Sequence, residues 1–253
     1  IENIQIALRA LTANKLRSAL TMLGIIIGVA AVVALMSIGN GASEIITSQV
    51  EGIGSNLIQV IPGRVFDSSN TSGAVTSRLY YGDFLALDAN RANMAGIAPS
   101  YQSAQTIRYS DQSFIMSVTG ATEEFLEVRA YKVARGRFIN VTDRNSEARV
   151  VVLGSQTAQD LYGGLNPVGR KLKIGGLTFE VIGVLESKGS SGFGSADDIL
   201  LIPLETGYGK LFGTAATGGG DYLVSTSSIS AESSELVGKA MGQVERIWRR
   251  QHN

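Results

Sequence analysis

A stretch of the sequence without any charged residue runs from Ser18 to Ile38 and reads SALTMLGIIIGVAAVVALMSI. As an α-helix, at about 1.5 Å per residue, it would extend for about 31 Å, which matches the hydrocarbon thickness of a bilayer. The sequence therefore predicts a transmembrane helix over residues 18–39. Two alternatives stay open: a signal peptide, which usually has a shorter apolar region and a small-residue cleavage site, and a buried helix of a soluble domain.

Charges are distributed unevenly on the two sides of this apolar run. Arg9, Lys15 and Arg17 precede it, opposed only by Glu2, whereas the first charged residues after it are acidic. The positive-inside rule then predicts a cytoplasmic N-terminus and a main domain on the other side of the membrane. Residues 1–17 also repeat apolar side chains at helical spacing, which predicts an amphipathic helix on the cytoplasmic surface. A plain continuation of the membrane helix into water would show the same pattern.

Two glycines lie inside the apolar run at a spacing that suits contact between helices. Gly24 and Gly28 form a G-x-x-x-G pattern, which lets a second helix approach closely in lipid. Glycine is common in membrane helices for other reasons, so the alternative that these two glycines contact no second helix stays open. The interpretation as a packing face predicts partner helices that are not in this chain.

The remaining sequence, residues 40–250, alternates strand-like and helix-like patterns and contains no second apolar run of membrane-spanning length. Strands are predicted at 57–61, 97–109, 113–119, 149–153, 171–174, 178–184, 199–202 and 222–225. Helices are predicted at 81–90, after Thr122, from Ser155 to Tyr162, and from Ala231 onward. The fold class is therefore α+β: one N-terminal transmembrane helix followed by an extracytoplasmic mixed α/β domain with mixed or antiparallel sheets.

Several classes of function are disfavoured by what the sequence lacks. It has no cysteine, and its one histidine, His252, lies next to the last residue, which argues against thiolate chemistry and histidine-based catalysis. Neither Gly209-Lys210-Leu211 nor Gly238-Lys239-Ala240 completes a P-loop. We therefore expect no catalytic, cofactor or metal site and no enzyme activity in this chain. The 22 basic residues balance the 22 acidic ones without forming a basic block, which disfavours nucleic-acid binding.

One loop, GSSGFGSADD at 189–198, stands out as a candidate contact site. Its tip, Gly192-Phe193-Gly194, presents one aromatic ring among small residues, although a plain mobile loop would have the same composition. The adjacent carboxylates Asp197-Asp198 and Glu123-Glu124 are interpreted as solvated charges. Trp248, beside two arginines, fits either a membrane-interface residue or an ordinary core side chain.

Blocks in fixed order give the chain a resemblance to a known family. The opening, ALRALTANKLRSALTMLGIIIGVAAVVALMSIGNG, resembles the start of the permease subunits of MacB/FtsX-type ABC transporters. Further blocks resemble that family's periplasmic core domain, and together they extend the resemblance over about residues 1–250: GSNLIQVIPG, RGRFI, ARVVVLGSQTAQDLYG, NPVGRKLKIGGLTFEVIGVL and SGFGSADDILLIPL.

The resemblance implies an architecture that the residues alone do not. It implies a MacB-like periplasmic core domain at 40–250, with a membrane-proximal Porter-like part at about 45–120 and 215–250 and an inserted Sabre-like part at about 121–214. It also implies three further membrane helices outside this chain, and the sequence begins with Ile1 rather than Met. We therefore expect a piece of a longer or processed protein of the bacterial inner membrane.

The resemblance further implies a permease subunit that couples cytoplasmic ATP hydrolysis to movement outside the membrane for substrate export. ATP and magnesium would be bound by a partner ABC ATPase, not by this chain. The other implied partners are a second permease copy in a homodimer, a periplasmic adaptor protein and membrane lipid. An alternative from another class is an FtsX-like transmembrane regulator, which would switch an external partner such as a cell-wall hydrolase without transport.

Overall fold

The computed structural model describes residues 15–53, 56–65, 75–76, 78–110, 112–191 and 194–251. Within these ranges the side chains of residues 40, 42–53, 64–65, 75–76, 190–191, 194–195 and 251 are not described. The chain divides into two compact units after Glu51. The first unit contains a long helix, and the second contains all of the sheets described below.

Helix α1 covers Lys15–Ile53, so it continues well beyond the predicted membrane segment. The part from Lys15 to Gly39 is long and apolar enough to cross a membrane, with a mean hydropathy of 2.6, and none of it is buried inside the protein. Its large apolar side chains, such as Ile25 and Leu35, are therefore exposed. The predicted amphipathic segment at 1–17 lies almost entirely outside the described residues.

The second unit is a mixed α/β domain. Its helices are α2 (Tyr81–Asp88), α3 (Phe125–Val128), α4 (Val141–Asn145), α5 (Ser155–Tyr162), α6 (Leu204–Thr206) and α7 (Val237–Gln251). Its strands are β1 (Leu57–Val60), β2 (Arg64–Val65), β3 (Val75–Thr76), β4 (Leu79–Tyr80), β5 (Met94–Tyr109), β6 (Gln112–Ala121), β7 (Val133–Gly136), β8 (Val150–Leu153), β9 (Lys171–Ile174), β10 (Leu177–Leu185), β11 (Ser190–Ser191), β12 (Gly194–Ser195), β13 (Leu200–Pro203), β14 (Thr217–Gly218), β15 (Asp221–Val224) and β16 (Thr226–Ala231).

Nine of these strands form one mixed sheet in the order β1-β16-β5-β6-β13-β8-β10-β7, with β9 pairing with both β10 and β5. Strands β6 and β13 are parallel, as are β8 and β10, whereas the other neighbours are antiparallel. The α+β class predicted from the sequence is confirmed.

The middle strands of this sheet are buried on both faces. In β13, Leu200 and Ile202 belong to one apolar cluster, and Leu201 belongs to the cluster on the opposite face. Successive side chains of a strand point to opposite faces, so a short uninterrupted apolar run is what a doubly covered strand requires. The run VVVL in β8 has the same arrangement.

The tight turn between β9 and β10 matches its sequence signal. Gly175 and Gly176 both adopt positive φ angles, 56° and 85°, which a two-residue turn of this hand requires and which other residues rarely adopt. The flanking strands pair antiparallel from Leu177 opposite Ile174 to Glu180 opposite Lys171. The predicted hairpin is therefore confirmed.

A third apolar cluster joins the two ends of the domain's sequence. Helix α7 contributes Ala240 and Val244, which pack with Phe84 and Leu87 of α2 and with Ile229 of β16. The ring of Trp248 meets that of Phe84 edge-on, with 5.9 Å between centroids. Of the two alternatives for Trp248, the structure therefore favours the core side chain.

Three details of the predicted elements were wrong. The final helix does not start at Ala231, which ends strand β16, but at Val237 after a short 3₁₀ turn. The helix expected directly after Thr122 is a single turn with Glu124 at its N-cap. Ser155 is the first residue of α5 rather than its cap, a position that Gly154 occupies.

Candidate functional site

The predicted packing face of the membrane helix is unoccupied within the described part of the chain. A side-chain carbon added at Gly24 or Gly28 would have no atom within 4 Å outside its own helix. Lys15 and Arg17 lie exposed at the start of α1, whereas Arg9 lies outside the described residues. This surface can therefore receive a second helix, and the role of both glycines stays a prediction.

The predicted contact loop contains a small hairpin, which lies between β10 and β13 in the sequence. Strands β11 and β12 pair antiparallel, with Ser190 opposite Ser195 and Ser191 opposite Gly194. Gly192 and Phe193 connect these strands and lie outside the described residues.

The carboxylate of Asp197 holds the base of this hairpin. It accepts hydrogen bonds from the Ser187 hydroxyl at 2.6 Å, from the Lys188 amide at 2.7 Å and from the Gly189 amide at 3.0 Å. Asp197 is only 9% exposed. Burial alone would raise the pKa of its carboxyl group, but these hydrogen bonds outweigh burial and lower the pKa below its ordinary value. The folded hairpin therefore stabilises the charged form of Asp197.

The backbone next to that carboxylate is attached to the start of helix α5. The Asp197 carbonyl accepts hydrogen bonds from the amides of Gln156 and Thr157, at 3.1 and 3.4 Å. These two N–H groups have no partner inside the helix, so the loop supplies one. A side-chain carbon on Gly154 would come within 2.2 Å of that same carbonyl oxygen. The approach of loop to helix therefore requires glycine at this position.

A second set of contacts at the hairpin base involves Lys188 and Tyr131. The Lys188 ammonium donates to the Arg129 carbonyl at 2.7 Å and lies 4.7 Å from the centre of the Tyr131 ring. The Tyr131 hydroxyl donates to the Ala196 carbonyl at 3.1 Å. Burial and the nearby Arg129 charge lower the pKa of Lys188, and burial raises the pKa of Tyr131. Two sets of contacts, one to Asp197 and one involving Lys188 and Tyr131, thus hold the base of the hairpin.

The interpretation of the paired carboxylates as solvated charges was wrong for Glu123-Glu124 and for Asp197, whereas Asp198 is exposed. Asp197 is buried in the hairpin base, and Asp198 accepts a hydrogen bond from the Thr157 hydroxyl at 3.0 Å. Glu123 and Glu124 form ion pairs with Arg144 and Arg91, and they line a cavity. The arginine partners of Glu123 and Glu124 lie 21 and 33 residues away in the sequence, so the neighbouring residues alone could not reveal them. Among the described residues, no group of three or more acidic or histidine side chains could hold a metal ion.

Comparisons with known proteins agree with this architecture. The model of the MacB-like periplasmic core domain family matches residues 18–247, which include most of the apolar helix and nearly all of the following domain. The chain is 36% identical over 213 residues to "Macrolide export ATP-binding/permease protein MacB" of Marinobacter nauticus, covering 84% of this chain and 33% of that relative. The protein of the same name in Rhodospirillum rubrum is 34% identical over 255 aligned residues, covering 99% and 37%. The chain thus spans about a third of the curated relatives that it matches.

Solved structures with low sequence identity share the fold. The periplasmic region of MacB from Actinobacillus actinomycetemcomitans matches with a TM-score of 0.65 at 19% identity, over 80% of this chain and 87% of that one. The extracellular domain of the noncanonic ABC-type transporter YknZ from Gram-positive bacteria matches with a TM-score of 0.61 at 18% identity, over 78% and 95%.

A helix long and apolar enough to cross a membrane, followed by a mixed α/β domain, defines the class: a candidate membrane-spanning protein with one large folded domain. The chain belongs to the family of MacB-like periplasmic core domains, found in ABC transporter permeases of the MacB/FtsX type. The resemblance predicted from its sequence blocks is therefore confirmed.

Proposed function

We propose that the chain is the first membrane helix and extracytoplasmic domain of a MacB-type ABC permease, which couples ATP hydrolysis in the cytoplasm to movement outside the membrane for substrate export. The observation that carries this proposal is one family match that includes both the apolar helix and the domain, over residues 18–247. ATP would be hydrolysed by a partner nucleotide-binding domain, because neither Gly-Lys pair of this sequence continues as a P-loop requires.

The proposed placement is the bacterial inner membrane, with the N-terminus in the cytoplasm. Lys15 and Arg17 at the start of α1 support this orientation, because basic residues next to a membrane helix favour the cytoplasmic side. The helix surface around Gly24 and Gly28 would contact further helices of the permease or of a second copy. The division into a Porter-like part at about 45–120 and 215–250 and a Sabre-like part at about 121–214 stays a prediction.

The hairpin at 189–198 is the proposed contact with an external partner, such as a periplasmic adaptor protein. Its base is supported by the Asp197 hydrogen bonds and by Lys188 and Tyr131. A rigid base lowers the conformational entropy that a partner must remove on binding, so it favours recognition at the tip.

Site-specific photo-crosslinking in cells that express the intact permease with its ATPase tests both the partner and the function. A photoreactive residue replaces Phe193 at the tip. The matched control carries it at Leu165, an exposed apolar residue of a different loop. Crosslinks from position 193 but not from position 165 to an adaptor protein support the export proposal.

Other outcomes of the same experiment count against it. A crosslink from position 193 to a cell-wall hydrolase would favour the FtsX-like regulatory role over the export role. Equal crosslinking yields from positions 193 and 165 would show that the hairpin is not a specific contact. A substrate-export assay on the intact permease with Phe193→Ala then separates the loop's role from the family assignment, because export would persist if only the loop proposal is wrong.

A further inference from the structure

Strand β6 has an open edge along its first half. It pairs with β5 over its whole length, but with β13 only from Val118 onward. No strand in the described part of the chain pairs with residues 112–117 on the side away from β5. Ser113, Ile115 and Ser117 are all exposed, so no other described element covers this edge.

The backbone groups of this edge point outward at every second residue. Thr106 of β5 lies opposite Ile115, and its carbonyl accepts a hydrogen bond from the amide of Gly175, which directly follows β9. In an antiparallel ladder, directly opposite residues direct their N–H and C=O groups either towards each other or away from each other. Ile115 therefore directs both groups away from β5, and by alternation so do Ser113 and Ser117. The edge thus presents three donors and three acceptors to an added strand.

The open edge lacks the features that usually prevent strand pairing. Natural edge strands carry charged residues, proline or irregular geometry. The segment QSFIMS at 112–117 contains no charged residue, proline or glycine, and Ile115 is 81% exposed. The edge strand β7, by contrast, contains Arg135 and Gly136, the latter with a positive φ of 77°. The β6 edge is therefore suited to receive an extended segment.

The exposed sheet face next to this edge carries two basic residues without an acidic partner. Arg108 of β5 lies directly opposite Lys173 of β9, and like charges in this position destabilise a strand pair. Both residues are exposed, and neither forms an ion pair with a described residue. Ser113 lies opposite Arg108 on β6 and is small, so the arginine side chain can extend over it towards the edge. A carboxylate on an added strand, two strand spacings or about 10 Å from β5, would relieve the repulsion.

We propose that the β6 edge binds an extended, acidic segment of a partner protein as an additional strand. The site is separate from the hairpin at 189–198 and does not depend on the proposed export function. Backbone hydrogen bonds to Ser113, Ile115 and Ser117 supply the pairing, and a carboxylate opposite Ser113 meets Arg108. An apolar residue of the partner opposite Ile115 covers the exposed isoleucine side chain.

A second copy of this chain fits the edge less well than an acidic segment does. Two β6 edges could pair through their backbones, because neither carries a repelling charge. Strand β6 has no acidic residue, however, so such a pair would leave Arg108 and Lys173 without a carboxylate partner. Charge complementarity therefore favours the acidic segment.

Ile115 provides the signal that tests this site. The full chain in lipid nanodiscs is labelled with carbon-13 at the isoleucine δ1 methyl groups, and the Ile115 resonance is assigned by its loss in Ile115→Val. The probe is the blocked peptide acetyl-Glu-Thr-Val-Thr-Glu-amide. Its glutamates at both ends place one carboxylate opposite position 113 whether the added strand is parallel or antiparallel. We expect a saturable shift of the Ile115 resonance, and its absence would overturn the proposal.

Three control peptides separate backbone pairing from charge. N-methyl groups on the third and fourth residues of the probe block hydrogen bonds along both of its edges and should abolish binding. Glutamine in place of both glutamates should weaken binding about three- to fivefold, and lysine in their place should weaken it further. Saturable binding of the N-methylated peptide, or equal affinities of the glutamate, glutamine and lysine peptides, would overturn the proposal.

Charge reversal on the protein locates the bound peptide. Arg108→Glu combined with Lys173→Glu should reverse the preference, so that the lysine peptide binds more tightly than the glutamate peptide. The matched control is Arg135→Glu, a reversal at an exposed residue of β7, which should keep the preference of the parent protein. An unreversed preference in the double variant, or the same reversal in Arg135→Glu, would overturn the proposal.

A proline variant keeps the test usable if the double variant does not fold by circular dichroism. Ser113→Pro removes one outward N–H but no hydrogen bond to β5, and it should weaken binding of the glutamate peptide about fivefold. Unchanged binding would overturn the proposal.

Self-association is measured on nanodiscs that each hold one chain, without peptide. The Ile115 resonance should not change when the protein is diluted about tenfold. A shift with protein concentration that is lost in Ser113→Pro would assign the edge to a second copy of this chain and overturn the proposal of an acidic partner.

Discussion

Replacement of Asp197 by alanine should release the base of the hairpin. The change removes an acceptor that serves the Ser187 hydroxyl and the amides of Lys188 and Gly189. Each such hydrogen bond contributes about 1 kcal/mol net, so we expect a loss of about 3 kcal/mol in the free energy of local opening. Because 1.4 kcal/mol is a factor of ten, the Lys188 and Gly189 amides should exchange their hydrogens roughly a hundredfold faster. Hydrogen-exchange mass spectrometry of peptides spanning 186–199 measures this.

The neighbouring carboxylate provides a matched control. Asp198 is exposed and accepts one hydrogen bond, from the Thr157 hydroxyl at 3.0 Å. Asp198→Ala should therefore change exchange at Lys188 and Gly189 by less than about threefold. If both variants accelerate exchange equally, the base is held by something other than the Asp197 carboxylate, and the reasoning is refuted.

Three further predictions concern stability and assembly. Gly154→Ala should destabilise the domain by about 1–3 kcal/mol in chemical denaturation, because its methyl group would lie 2.2 Å from a backbone carbonyl oxygen, whereas Gly242→Ala, with open space around it inside helix α7, should not destabilise the domain. Because the pKa of Asp197 is lowered in the folded state, its charge stabilises the fold above the unfolded-state pKa of about 4, and this stabilisation is lost as the pH falls through the lower folded-state pKa. The urea-unfolding curves of the parent protein and of Asp197→Ala should therefore differ at pH 7 and converge in acid. Gly24→Leu combined with Gly28→Leu should reduce copurification of the intact permease with its partner helices while leaving the denaturation of the domain unchanged, and unchanged copurification would contradict a packing role.

Apolar patterning was enough to predict most of the sheet. The runs in β8 and β13 are uninterrupted because both faces of these strands are covered, and the two glycines after Ile174 allow only a tight reversal. The strand β16 was not predicted, because its sequence TSSISA is mostly small and polar. Ser227 and Ser228 are nevertheless buried, since β16 lies between β1 and β5 in the sheet. Its place is decided by strand pairing rather than by side-chain hydropathy.

The candidate sites were less predictable than the fold. The composition of the loop indicated a contact tip, but the role of Asp197 depends on a hydrogen-bonded turn and a helix start that only the folded chain brings together. Thr122 likewise reads as a helix-start residue in the sequence, whereas in the structure its buried hydroxyl has no hydrogen-bond partner among the described residues. Long-range polar contacts leave little trace in a single sequence.

Strand β5 has a mechanical consequence of its own. It is 16 residues long, or about 50 Å at the usual rise, and it pairs with β16 over its first half and with β6 over its second half. Hydrogen bonds in antiparallel ladders run perpendicular to the strands, so a pull along β5 loads many of them in shear at the same time. Ile97 and Ile107 lie in different apolar clusters, so β5 is one continuous strand that connects these two clusters. A force along β5 would therefore be carried from the β16 side of the sheet to the β6 side.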